Sequence, residues 1–110
     1  MATTNYKVLA QAAPSATSNT DIFTVGAGKQ VVVSTLIVAN RAAAAATFRI
    51  AIRPDAAVLS NVHYIAYDVT VGANDSTNLT LGLTLDAADV ITVYASTANT
   101  TFSIFGAEIA

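Results

Sequence analysis

The sequence predicts a small all-β protein: a single antiparallel β-sandwich of eight strands, jelly-roll-like in arrangement. Three observations predict this fold. Apolar and polar residues alternate with period two along most of the chain, as is typical of strands with one buried face. Clusters of Gly, Pro, Asn, Asp and Ser recur at short, regular intervals between these segments. No segment of useful length shows the period of about 3.6 residues that marks an amphipathic helix. Residues 1–110 are therefore expected to form one sandwich domain.

The first two predicted strands cover residues 6–12 and 21–25. The segment PSATSNT between them is rich in turn-forming residues. Residues 1–12 are expected to act as an N-terminal arm or as an edge strand. An extended arm of this kind can add a strand to a neighbouring molecule.

The third predicted strand, residues 30–40, is mainly apolar on both faces. Such a strand is either central in a covered sheet or has one face against another subunit. Strict alternation places its side chains in two sets on opposite faces. One set is Val31, Val33, Thr35, Ile37 and Ala39, and the other is Val32, Ser34, Leu36 and Val38.

The fourth predicted strand, residues 47–53, follows a run of five alanines, 42–46, that is too short to sustain a helix and is interpreted as a hairpin link. Alternation assigns the side chains of this strand to two opposite faces. Phe48, Ile50 and Ile52 are expected to face inward, and Thr47, Arg49, Ala51 and Arg53 outward.

Four more strands are predicted in the second half of the chain, at residues 63–69, 77–85, 90–95 and 101–109. A loop with one helical turn is expected before them, over residues 55–62. In the strand 63–69, alternation places Tyr64 on the face opposite to Tyr67. The strand 77–85 has the clearest pattern, with four leucines expected inward: Leu79, Leu81, Leu83 and Leu85.

The composition predicts that part of the protein surface is buried against other molecules when the protein functions. Hydrophobic residues make up 54% of the chain and charged residues only 11%, whereas a typical soluble domain has about 25% charged residues. So few charges give weak protection against association, and we expect contacts with copies of the chain or with a partner. A soluble monomer with a neutral Ser/Thr/Asn surface is the alternative. The net charge of −2 predicts no binding to nucleic acid or to a membrane surface.

The residues offer little for catalysis, so an enzyme is not expected, and no cofactor or metal is predicted. The single histidine, His63, would have to act as the base of any serine-type triad. The carboxylates Asp86 and Asp89 share one turn, where aspartate commonly bonds to the backbone. The sequence GAGK at 26–29 lacks the spacing of a phosphate-binding loop and precedes a strand instead of a helix.

The candidate site is therefore an interface. Arg41, Arg49 and Arg53 fall within one short stretch, and arginine is enriched at interface hot spots. A solvated basic stripe is the alternative interpretation of these residues. Tyr64 and Tyr6 complete the set of interface candidates. The phenylalanines are expected in the core, whereas an exposed Tyr64 with Tyr67 or Tyr94 would suit a carbohydrate-binding platform.

Three segments of the chain together resemble a recurring module of virion proteins from tailed bacteriophages. They are VGAGKQVVVSTLIVANRAAAAATFRIAIRP, HYIAYDVTVGANDSTNLTLGLTL and DVITVYASTANTTFSIFGAEIA. The shared pattern is an AGK turn, an apolar strand ending in Asn-Arg, an alternating strand, and a later VYAS strand before the C-terminal one. The resemblance covers nearly the whole chain from Ile22 onward and includes no catalytic residue.

This resemblance implies a small β-sandwich that assembles as oligomers, often trimers, on capsids, necks, tails or fibres. Because nothing is left over for a fibre shaft or receptor-binding head, a capsid decoration (cement) protein is the preferred expectation. Its partners would be itself and the major capsid protein or another virion protein. A neck, tail or fibre-attachment component and a carbohydrate-binding module are the alternatives. The N-terminal segment lacks the pattern of a signal peptide, so we expect synthesis in the host cytoplasm and location in the virion.

Overall fold

The protein is an all-β sandwich of two four-stranded antiparallel sheets. The structure, a computed structural model, describes residues 3–110, apart from the side chain of Leu81. Short 3₁₀ turns at Pro54–Ala56 and Asn61–His63 occupy the predicted loop. The strands are β1 (Thr4–Ala12), β2 (Thr20–Thr24), β3 (Gln30–Asn40), β4 (Ala46–Arg53), β5 (Tyr64–Val71), β6 (Ser76–Leu85), β7 (Val90–Ala95) and β8 (Thr100–Ile109).

The strand order is that of a jelly roll. One sheet has the order β1-β8-β3-β6 and the other β2-β7-β4-β5. Strands therefore pair first with last, second with seventh, third with sixth and fourth with fifth, so the chain folds as one long ribbon wrapped into two Greek keys. β1 lies at the edge of the first sheet, paired only with β8 among the described strands. β3 is internal in that sheet, between β8 and β6.

The core lies between the sheets and is built from alternate side chains of both. Phe48 of β4 and Phe102 of β8 are fully buried, with ring centroids 6.2 Å apart in an edge-to-face arrangement. Such aromatic pairs contribute about 0.5–1.5 kcal/mol beyond the area they bury. The predicted inward face of β4 is confirmed, since Phe48 and Ile50 are buried and Ile52 packs against them. Leu79, Leu83 and Leu85 also pack in or on the core.

The predicted faces of β3 are wrong beyond Val33. The residues that face the core are Val31, Val33, Leu36 and Val38, so the inward side changes phase between positions 33 and 36. A β-bulge causes this change: β3 uses one residue more than β8 between the pairs Val33↔Gly106 and Thr35↔Phe105. Irregularities occur at the same level in the pairings of β1 with β8 and of β3 with β6.

Two features hold the strands at this bulge. The hydroxyl of Ser34 donates a hydrogen bond to the carbonyl oxygen of Phe105 at 3.2 Å. Gly106 lies so close to β3 that a Cβ atom at this position would be 2.0 Å from the carbonyl oxygen of Val32. Glycine in a strand often marks such a close approach of two backbones.

The predicted alternation in β5 is also wrong. The pairing of β5 with β4 is irregular on both sides of Ile50, and Asp68 has a left-handed backbone with φ of 50°. The extra residues change the phase of the strand. As a result Tyr64 and Tyr67 contact one another, with ring centroids 4.9 Å apart.

Asn40, at the end of β3, connects two turns. Its side chain is buried. Its Nδ2 donates to the carbonyl oxygens of Ala44 at 2.8 Å and Gly72 at 3.1 Å, and its Oδ1 accepts the N–H of Ala42 at 3.0 Å. Because the amide has a donor on one side and an acceptor on the other, it satisfies backbone groups of both turns at once.

The turn containing Asp86 and Asp89 is held by its own carboxylates. Asp89 accepts the N–H of Asp86 at 2.8 Å and the N–H of Asp55 at 3.0 Å. Among residues 3–110, no group of three or more His, Cys, Asp or Glu side chains is placed to hold a metal ion. Within the same residues, no helix is long and apolar enough to cross a membrane.

Candidate functional site

The outer face of the sheet β2-β7-β4-β5 carries a layer of stacked tyrosine and arginine side chains. The guanidinium of Arg49 lies between two rings, 4.2 Å from the centroid of Tyr67 and 4.3 Å from that of Tyr94. Asp68 fixes it from the side, with Nε to Oδ1 at 2.6 Å and Nη2 to Oδ2 at 3.3 Å. This hydrogen bond raises the pKa of Arg49 above its ordinary value. The bulge at Asp68 allows β5 to place both a carboxylate and a ring against one arginine.

Tyr64 extends this layer along β5 toward the start of the strand. Its ring meets the ring of Tyr67 nearly at a right angle, at 86°. Together with Asn61, the two rings line a depression of about 370 Å³. Tyr67 is 56% exposed, so one aromatic surface remains open beside an amide and a carboxylate.

Arg53 is held by contacts within the same sheet. It donates to Asp21 Oδ2 at 2.8 Å, to the hydroxyl of Thr92 at 3.0 Å and to the carbonyl oxygen of Ala57 at 3.1 Å. Thr92 in turn donates to Asp21 Oδ1 at 2.7 Å. The network ties β4 to β7 and β2, so most of the hydrogen-bonding capacity of this arginine is used inside the chain.

The third arginine lies apart from the other two. Arg41 is exposed after the end of β3, where its Nη2 is 3.4 Å from the carbonyl oxygen of Ala98. The structure therefore brings Arg49, Arg53 and Tyr64 to one sheet face, and places Arg41 at the end of β3 and Tyr6 on the other sheet.

Tyr6 belongs to an apolar surface on the outer face of the sheet β1-β8-β3-β6. It is 86% exposed, with Val8 at 50% and Val32 at 36%. The pairings Tyr6↔Ala107 and Val32↔Ala107 place these side chains in one row, and Val8↔Phe105 forms the next. The surface contains a shallow groove of about 400 Å³. We call it the β1 surface; it consists of Tyr6, Val8, Val32, Phe105 and Ala107.

Further exposed apolar side chains lie on β5, the edge strand of the other sheet, and in the segment before it. Val58 and Val62 are almost fully exposed, at 89% and 86%, and Ile65 is 45% exposed. With Val69 at 36% exposure, we call these four residues the exposed apolar residues of the β5 segment.

Charged groups flank the β1 surface. Lys7 and Lys29 both reach Glu108 Oε1, at 3.2 Å and 3.5 Å. The hydrogen bond from Lys7, with the added charge of Lys29, lowers the pKa of Glu108 below its usual value. Two ammonium groups share one carboxylate, so this cluster has a net charge of +1.

His63 has a structural partner. Its Nδ1 accepts the N–H of Ser60 at 3.1 Å and closes the 3₁₀ turn Asn61–His63. The presence of a histidine at this position is therefore explained by its hydrogen bond within the turn.

The sequence identified the arginines as candidates but did not predict the β1 surface or the exposed apolar residues of the β5 segment. Phe105 was expected in the core with the other phenylalanines, and the structure corrects this, because the side chain lines the outer groove. The row Val8–Phe105 becomes visible only when the pairing of β1 with β8 is known. The apolar residues of the loop 55–62 were an available signal, since Val58 and Val62 have no strand pattern to bury them.

Comparisons of the chain with protein-family models, with curated proteins and with solved structures give no match.

Proposed function

We propose that this protein is a non-enzymatic structural protein of a bacteriophage virion, and specifically a capsid decoration protein. It would join the shell as a homo-oligomer, a trimer in the preferred arrangement, and stabilise it through many identical contacts with the major capsid protein. The observation that carries the proposal is the exposed β1 surface, together with the exposed apolar residues of the β5 segment, on a jelly roll. The phage resemblance of the sequence and the low charge content support the same assignment.

The physical basis is multivalency. A single contact through a small apolar surface is weak, but copies fixed on a symmetric lattice bind at a high effective concentration. Anything that binds the assembled shell and not its dissociated subunits stabilises the shell by mass action. A rigid sandwich with few charges suits this role, because little ordering and little charge desolvation accompany binding.

The proposal requires that the genome carrying this gene also encode a major capsid protein, and the test uses shells of that protein. Purified protein is mixed with empty shells, and both co-sedimentation and the temperature of shell disassembly are measured. We expect saturable binding at a ratio set by the shell lattice, and a higher disassembly temperature. Failure of the wild-type protein to sediment with the shells would contradict the decoration role.

The position in the virion has an alternative, a neck, tail or fibre-attachment component. Electron microscopy of virions with an antibody fragment bound to the protein separates the two. Labels over the whole shell support decoration, and a label confined to the tail or its attachment site supports the alternative.

Carbohydrate binding is the second candidate function, favoured by the open ring of Tyr67 beside Asn61 and Asp68. An aromatic platform with adjacent polar groups suits the apolar face and the hydroxyls of a sugar ring. A glycan array is the measurement, with Tyr67→Ala expected to abolish any signal and Tyr67→Phe, which keeps the ring, to retain it. An array without hits for the wild type would dismiss this function.

A further inference from the structure

We propose that three copies of this chain join around an axis parallel to the strands of the sheet β1-β8-β3-β6, with the β1 edge of each copy against the β6 edge of the next. The three β1 surfaces then face the axis. The inference rests on the homotrimer of the proposed function and assigns the surface that forms it. The occupant of the β1 surface is thus a second copy of this chain.

Charges of opposite sign lie on the two sides of the β1 surface. Lys7 lines the groove on the β1 side and belongs to the cluster of net charge +1 described above. On the other side, Asp86 and Asp89 line a depression of about 320 Å³. Val32 belongs to both depressions, so the apolar centre of the surface lies between a basic side and an acidic side.

Both sides carry their charges at the same end of the sheet. One cross-strand row runs from Tyr6 on β1 to Thr84 on β6, and Lys7 and Asp86 lie within two residues of its ends. Three strand spacings of about 4.8 Å separate β1 from β6, roughly 14 Å. This exceeds the Debye length of about 8 Å at physiological ionic strength, so the two charges interact only weakly within one copy.

The acidic side is free to receive a cation from outside the chain. Among residues 3–110, no lysine or arginine forms an ion pair with Asp86 or Asp89. Their hydrogen bonds come from the backbone N–H groups of the turn and of Asp55. A lysine of a neighbouring copy can therefore approach these carboxylates without breaking an existing ion pair.

The strand edges of this sheet favour the same contact. Within the described chain, β1 pairs only with β8, and β6 only with β3. Unpaired edges of this kind promote association. Because each neighbouring pair is antiparallel, β1 and β6 run in opposite directions. An axis along the strands therefore brings the β6 edge of one copy antiparallel to the β1 edge of the next, as in an ordinary antiparallel sheet.

Pairing of two β1 edges with one another is less favourable. A two-fold axis that joins them brings Lys7 of one copy near Lys7 of the other, and like charges facing each other across two strands are destabilising. It also leaves both β6 edges open. The β1-to-β6 contact places a basic side against an acidic side, and a closed ring of such contacts covers both edges in every copy.

Charge reversal tests the contact directly. In Lys7→Glu and in Asp86→Lys, one side of the contact has the wrong sign, so each variant is expected to associate at least tenfold more weakly than the wild type. In the double variant Lys7→Glu/Asp86→Lys the signs are opposite again across the contact. We expect it to associate at least tenfold more tightly than either single variant. Analytical ultracentrifugation measures the association, and thermal melts check that each variant folds.

Tyr6→Glu tests the apolar part of the surface, and Val62→Glu is its matched control. Both side chains are 86% exposed in the single chain, so both substitutions are expected to leave the fold intact. Tyr6→Glu places a carboxylate in the β1 surface and is expected to yield a monomer. Val62→Glu lies outside this surface and is expected to keep the trimer. Native mass spectrometry counts the chains in each species.

Several results would overturn the inference. They are a wild type that stays monomeric, a Tyr6→Glu variant that keeps the trimer, equal disruption by Tyr6→Glu and Val62→Glu, and a double variant no tighter than the single ones. These outcomes are separable from failure of the decoration role. A trimer that does not bind capsid shells contradicts decoration alone, and a monomer that binds shells contradicts the trimer contact alone.

Discussion

Replacing Gly106 with alanine is expected to destabilise the protein by about 3 kcal/mol or more, toward and beyond the upper end of typical overpacking costs. The added Cβ would lie 2.0 Å from the carbonyl oxygen of Val32, a backbone atom that no side-chain rotation can move away. β3 and β8 would have to separate at the bulge, where Ser34 also bonds to Phe105. Thermal denaturation should show a Tm lower by roughly 12 °C or more.

Gly82→Ala is the matched control for this change. Gly82 is also a strand glycine in the same sheet, but a Cβ there meets no atom within 4 Å. We expect the free energy of unfolding to stay within about 1 kcal/mol of the wild-type value, since the alanine restricts only the unfolded chain. If both variants lost the same stability, backbone entropy rather than the close approach to Val32 would explain Gly106.

Asn40→Asp is expected to cost about 3–5 kcal/mol, the range for an uncompensated buried charge. The substitution keeps the shape but replaces the Nδ2 donor with an acceptor that faces the carbonyl oxygens of Ala44 and Gly72. Chemical denaturation at neutral pH measures the loss. At acidic pH the introduced carboxyl becomes neutral and can donate one hydrogen bond, so part of the loss should be recovered.

Asn78→Asp provides the control, because Asn78 is exposed on β6 and its amide is free to face water. Its free energy of unfolding should change by no more than about 0.5 kcal/mol, as for most surface substitutions. An equal effect at both asparagines, or no effect at Asn40, would show that the amide does not connect the two turns.

Regular strands were predictable because alternation is a local property. In β4 the spacing of Phe48 and Ile50 already identifies the inward face, and the burial of both follows it. Bulges were not predictable in the same way. The phase change between Val33 and Leu36, and that between Tyr64 and Tyr67, depend on an extra residue opposite another strand. The sequence of one strand does not show how many residues its partner strand places opposite it, so it does not show where a bulge occurs.

In the candidate site, too, some features were predictable from the sequence and others depend on tertiary contacts. Arginine and tyrosine at outward-facing strand positions could be identified as interface candidates from their chemistry alone. Their actual contacts, Arg49 with Asp68 and Arg53 with Asp21, join residues far apart in the chain. These ion pairs occupy much of the hydrogen-bonding capacity of both guanidinium groups. The apolar side chains are therefore the groups that remain available to a partner.

The sequence by itself determined the all-β class, the single sandwich, most strand positions and the scarcity of catalytic groups. These follow from periodicity, turn residues and composition, which are readable along one chain. Tertiary structure alone decided the strand order, the bulges and the grouping of Tyr6, Val8 and Phe105 into one surface. The physical reason is that neighbours in a jelly roll are paired across nearly the full length of the chain, first strand with last, so local patterns cannot specify which faces meet.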